Sequence, residues 1–249
     1  MFDIPSATLS DLPLLILAEA IVALAAILQA SVGMGFGMLA APLLALIDPT
    51  LVPGPMLVLG FVTAAIGALR ERRGIDWGEL RIGFTGRVVG AAAAVALLAS
   101  LPDRSLFSLI FGLLVAFAIV LSVSGWKIAF TRVNLFALST VSGLMGTITS
   151  VGAPPMALLY QHRDVLTARP TLNALFACGM IAGLAGLGLS GWIGWRDVGT
   201  AALLVPGMAT GFYLSRYTAR FVDRRFRHAA LGLAFAAGVL LIVRGTQAL

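Results

Sequence analysis

Two stretches hold most of the residues able to do chemistry. The first reads Gln29-Ala30-Ser31-Val32-Gly33-Met34-Gly35-Phe36-Gly37 and runs on to Pro42. The second reads Ser142-Gly143-Leu144-Met145-Gly146-Thr147-Ile148-Thr149-Ser150-Val151-Gly152 and runs on to Pro154 and Pro155. Glycines let the backbone leave helical geometry, and prolines suit the first turn of a new helix. Each stretch therefore predicts a break that ends one half-helix and starts another. A helix N-terminus at such a break offers free N–H groups and the positive end of a dipole, which suits an anion. Gln29, Ser31, Thr147, Thr149 and Ser150 add side-chain polar groups, and Gly35, Phe36, Gly37 and Gly152 add backbone. These nine are the candidate substrate-binding residues of the breaks. The rival reading is close packing of glycine-rich helices. Two breaks at equivalent places, each followed by proline and a short apolar arm, favour a substrate site. The Gly33–Gly37 string lacks the preceding strand and the spacing of a nucleotide fingerprint.

Three further residues stand out. Glu19 lies roughly 10 Å along its helix from Leu12 at 1.5 Å per residue. It is a proton-coupling candidate, or a carboxylate facing an external aqueous vestibule. Arg87 lies about a turn and a half inside an apolar stretch. It either snorkels to the cytoplasmic surface or attracts an anion at the mouth of the pathway. Asn173 either binds substrate or bridges helices. Tyr160, Gln161 and His162 read as a solvated helix end, with gating as the alternative. The two histidines are far apart, Cys178 is the only cysteine, and no zinc-protease motif is present. No enzyme chemistry, metal site or cofactor is expected.

The elements that must position these residues follow from composition. The chain has 249 residues, 59% hydrophobic and 11% charged, with mean hydropathy +1.00. A soluble domain has about 25% charged residues. This chain has too few to cover its surface, so the bilayer is its solvent. A net charge of +6 reads as basic cytoplasmic loops rather than a nucleic-acid interface. Apolar stretches run over 12–32, 37–47, 52–69, 82–101, 105–125, 133–148, 154–160, 171–190, 198–214 and 229–243. The second and seventh are too short to cross a membrane and read as re-entrant arms; the other eight read as spans or nearly so. The first stretch lacks a basic start, so it reads as a retained helix rather than a cleaved signal.

The halves repeat each other. Gly33 precedes Pro42 as Gly146 precedes Pro155, and Asp103-Arg104 precedes Gly112 as Asp223-Arg224 precedes Gly232. The expected fold is an all-α polytopic membrane protein with two inverted repeats, residues 1–128 and 129–249. Each repeat is a broken or re-entrant hairpin plus three transmembrane helices. Three crossings per half invert the second half. With both termini external, the cytoplasmic side receives Arg70, Arg72, Arg73, Arg81, Lys127, Arg132, Arg163, Arg169 and the basic residues of 216–227. The outside receives Arg104, Arg196 and Arg244. That is a strong positive-inside bias. The expected localisation is the inner cell membrane.

The ordered pair of breaks resembles the TauE/SafE sulfite exporter family, the TSUP transporters. The resemblance rests on Gly35-Phe36-Gly37 with Pro42-Leu43-Leu44, and on Gly146 through Gln161 continued by Arg169-Pro170-Thr171-Leu172-Asn173. It covers nearly the whole chain. Ala153 stands where many relatives have a second glycine. Thiosulfate-importing relatives carry several cysteines near the pathway, which this chain lacks. The resemblance implies a secondary transporter exporting a small sulfur-containing anion, sulfite or an organosulfonate such as sulfoacetate. Its partners are that anion and the lipid bilayer, with no nucleic acid, and proton coupling runs through Glu19 if it operates. An anion channel and an importer of a related sulfur oxyanion are the alternatives.

Overall fold

The computed structural model describes residues 11–32, 35–101, 104–218 and 224–247. The Ser31 side chain, Gly33, Asp103 and Asp223, all singled out in the sequence, lie outside the described residues. The described chain is helical throughout, with no strand. The helices are α1 Leu12–Val32, α2 Phe36–Ile47, α3 Gly54–Arg70, α4 Trp77–Ala99, α5 Arg104–Val123, α6 Arg132–Thr149, α7 Ala153–Tyr160, α8 Val165–Leu189, α9 Trp195–Leu203, α10 Val205–Thr218 and α11 Arg224–Gln247.

Among the described residues, five helices are long and apolar enough to cross a membrane: α1, α3, α4, α5 and α8. The bent pair α9–α10 makes a sixth. That pair corrects an expectation. Residues 198–214 read as one continuous span, but the helix breaks at Leu204 with a bend of 41°. Pro206 at the start of α10 has no N–H to continue the ladder and suits a new first turn. Two other expected spans fall short as apolar helices. In α6 six hydroxyl and amide side chains interrupt the apolar run, and the apolar part of α11 is only Gly232–Val243. The two arms read as re-entrant are short, α2 with 12 residues and α7 with 8.

Capping fixes where the helices begin. The Asp76 carboxylate accepts from the Glu79 N–H and starts α4, and Thr131 does the same for α6 through Asn134. Such starts extend the helices past the apolar runs. The outer faces carry exposed Leu113, Phe117 and Val120 on α5, Ile181 and Leu189 on α8, and Leu233 and Leu240 on α11. Water would penalise such a surface, whereas lipid does not.

The packing follows one pattern twice. α4 packs along α6, and α10 packs along α1. Gly86 and Gly90 of α4 seat on the carbonyls of Phe136 and Thr140, while Gly207 and Gly211 of α10 seat on those of Glu19 and Ala23. At each of these glycines a Cβ would run into partner backbone. The remaining large interfaces join α3 to α8 and α5 to α11. Contacts between Glu71 and Arg169, Glu79 and Arg163, and Trp126 and Gln161 gather three loops at one end of the bundle. That end carries Arg70, Arg72, Arg73 and Arg163. The opposite end holds Gly54 against Asp197 and Trp192 against Phe107. Trp77, Trp126 and Trp195 are exposed near helix ends, where indoles anchor at a membrane interface.

Candidate anion site at the junction of the two breaks

The two breaks meet. A Cβ at Gly37, in the first turn of α2, would collide with the Ser150 carbonyl at the end of α6. Gly35 precedes α2 with φ +124, a conformation L side chains rarely adopt. The Gln29 Oε1 accepts from the Phe36 N–H at 3.1 Å and so closes the first break. Ser150 ends α6 in the left-handed region at φ 61, its N–H bonded to the Gly146 carbonyl. Its hydroxyl reaches the Pro53 carbonyl at 3.4 Å. Thr149 Oγ1 donates to the Met145 carbonyl and accepts from the Val151 N–H. The second break is thus held by its own hydroxyls.

A cavity of about 50 Å³ lies at this junction. Gln29, Gly35, Phe36, Gly37, Ser150 and Gly152 from the breaks line it. Arg87 lines it from α4, and Met56 and Thr63 line it from α3. Phe176 and Met180 of α8 complete the wall. One apolar core cluster contains Phe36 and Met56, and a second contains Ala64 and Phe176, so the cavity sits at the seam between them.

Arg87 does not snorkel. Its residue is 2% exposed. The guanidinium donates to Ser142 Oγ at 2.6 Å and lies 5.0 Å over the Phe176 ring. Ser142 in turn donates to the Gly152 carbonyl, across the second break. Gly179 gives the guanidinium its room, because a Cβ there would overlap Nε. Gly143 and Gly146 approach the Arg87 backbone and fork in the same way. Arg87 Nε has no hydrogen-bond partner, and among the described residues the ion pairs are Arg163–Glu79 and Arg169–Glu71, so no carboxylate neutralises Arg87. A buried charge without a counter-ion is costly.

The two half-helix ends are unequal. α2 begins Phe36-Gly37-Met38, all with N–H groups, that of Phe36 taken by Gln29. α7 begins Ala153-Pro154-Pro155, and its prolines have none. At the second break the Ser142 hydroxyl instead links the Arg87 guanidinium to the Gly152 carbonyl.

Not every sequence-predicted residue lines this cavity. Thr147 is buried with its hydroxyl at Gly183, and Thr149 is spent on backbone. Asn173 is buried against Gly67 of α3. Glu19 lies at the α1–α10 interface against Gly207, with one carboxylate oxygen buried and unpartnered. Thr63, Met56, Phe176 and Met180 went unremarked in the sequence. Single apolar or hydroxyl residues within long spans carry no signal that separates a cavity wall from a core.

The family profile described as Sulfite exporter TauE/SafE matches residues 19–241, a range that spans both breaks and every residue of the cavity. The chain belongs to the TauE/SafE family. No curated protein and no solved structure matches it. TauE/SafE is a family of membrane transporters for sulfur anions such as sulfite, not of enzymes. The chain is thus a multi-pass helical bundle with a buried cation beside a small, mainly apolar cavity.

Proposed function

We propose that this TauE/SafE chain exports a small sulfur oxyanion, with sulfite as first substrate, and that the anion binds between Arg87 and the N-terminus of α2. One observation carries the reading: a fully buried guanidinium without a carboxylate partner among the described residues stands where the two breaks touch. At about 50 Å³ the cavity is small, which favours a compact oxyanion such as sulfite as the first substrate to test. Residues 1–128 and 129–249 act as inverted repeats, a reading supported by the doubled glycine seating of α4 on α6 and α10 on α1. The arginine-rich end is cytoplasmic and both termini are external. Alternating access then exposes the site to each side in turn, and an inside-negative potential drives an anion outward. Glu19 serves proton coupling from outside the cavity.

Sulfite flux in proteoliposomes tests this. Sulfite on the far side should accelerate exchange, as expected of a carrier. Gly35→Leu and Ser150→Leu should abolish flux, because both crowd the junction. Wild-type flux in either variant refutes the site. Unitary currents without counterflow would replace the carrier by a channel.

A further inference from the structure

α7 runs from the cavity toward the arginine-rich end, packed in the core cluster that also holds Ala68, Leu80, Leu135 and Leu172. Its first turn lines the cavity at Gly152 and Ala153. Its last residue, Tyr160, lies about 12 Å away at 1.5 Å per residue. Tyr160 does not end in solvent, as the sequence suggested; it is 5% exposed. Its hydroxyl donates to Glu79 Oε2 at 2.9 Å, and Arg163, just beyond α7, pairs with Glu79 Oε1. Phe130 backs both groups: its ring packs edge-on with Tyr160 at 5.1 Å and under the Arg163 guanidinium at 4.5 Å. Glu79 therefore holds α7 and the following loop with both carboxylate oxygens.

Glu79 also sits on α4, about two turns before Arg87. Two of the elements that border the cavity, α4 and α7, are thus tied together at their arginine-rich ends. Among the described residues, no ion pair joins the other half-helix, α2, to a neighbour. α2 ends at Ile47, and the Asp48 carboxylate is spent on Thr50 in a local turn. Both ion pairs among the described residues lie at the arginine-rich end. We infer that Glu79, Tyr160 and Arg163 form a latch that shuts the cavity toward the arginine-rich end, and that its release lets α7 swing from α4 and opens the cavity on that side. The latch is the bistable contact that a gated site requires. It rests on the reading of the cavity as a transport site, but its test does not depend on the substrate.

The test is thiol accessibility in the full chain. Thr63→Cys is introduced into the cavity in a Cys178→Ser background, and Lys127→Cys in a parallel chain marks the arginine-rich face. A charged, membrane-impermeant thiol reagent is applied to each face of reconstituted vesicles. Glu79→Gln and Arg163→Met should each speed modification of the cavity cysteine from the Lys127 face by about tenfold, the effect of losing one charge-assisted contact. Tyr160→Phe should give a smaller rise. The charge swap Glu79→Arg with Arg163→Glu should return the rate toward the parent. Arg163 is half-exposed, so Arg163→Met remains informative if Glu79→Gln does not fold. Unchanged rates in the folded variants, or a rise from the opposite face, overturn the latch. Latch-dependent labelling without sulfite flux would remove the transport reading and leave the latch standing. Normal flux with unmoved labelling would do the reverse.

Discussion

Replacing Arg87 with methionine removes the charge and keeps an unbranched side chain in the space left by Gly146 and Gly179. An anion about 4 Å from the guanidinium at an effective dielectric of about 20 gains roughly 4 kcal/mol, close to three decades in affinity. The α2 N-terminus remains and supplies at most about 2 kcal/mol. Binding in Arg87→Met should therefore weaken by at least a hundredfold. The empty fold should respond in the opposite sense. The buried guanidinium has no carboxylate partner among the described residues, so an apolar replacement should leave stability unchanged or raise it. Thermal unfolding of purified protein reads both effects. A ligand at about a hundred times its Kd adds about 2.7 kcal/mol, roughly 5–10 °C for a chain this size. Sulfite should shift wild-type Tm by that amount and leave Arg87→Met unmoved, while the variant's own Tm is equal or higher. A variant that keeps the sulfite shift refutes the assignment of Arg87. A variant that loses several degrees without ligand shows the guanidinium to be structural.

Three other substitutions follow from the same contacts. Gly37→Ala sets a methyl against the Ser150 carbonyl, so about 1–3 kcal/mol of stability and all sulfite flux should be lost; a stable, transporting variant would show that the breaks do not touch. Ser142→Ala releases both Arg87 and the Gly152 carbonyl, and should weaken sulfite binding by roughly tenfold while sparing expression; unchanged affinity in titration would show that the hydroxyl does not position the guanidinium. Glu19→Gln leaves the cavity untouched, so counterflow should persist while accumulation driven by a pH gradient disappears; loss of counterflow would place Glu19 on the anion's own route.

The breaks were legible because glycine and proline act locally, whatever the rest of the chain does. Depth was not. The span holding Arg87 seemed to start at Ile82, its first apolar run, which left the arginine near the surface. The helix starts at Trp77 under the Asp76 cap, so Glu79 and Arg81 belong to it and Arg87 sits about 15 Å along. Polar first turns hide helix starts from a hydropathy reading. Proline was an uneven guide for a related reason. Pro206 opens α10 after a bend, whereas Pro42 and Pro170 lie inside α2 and α8. Whether a lost N–H breaks a helix depends on the neighbours that take up the freed carbonyl, and those are tertiary. Thr147 and Asn173 looked equivalent to Ser150 in sequence, and only the facing helices decide which of them borders open space.

Because Gly37 rests directly on the Ser150 carbonyl, neither half of the polypeptide contains a finished binding site. The pocket can be completed only after Met180 has been made and its segment has docked on the first half. Two separately encoded halves should each be inert, and sulfite flux should return only when both are made together.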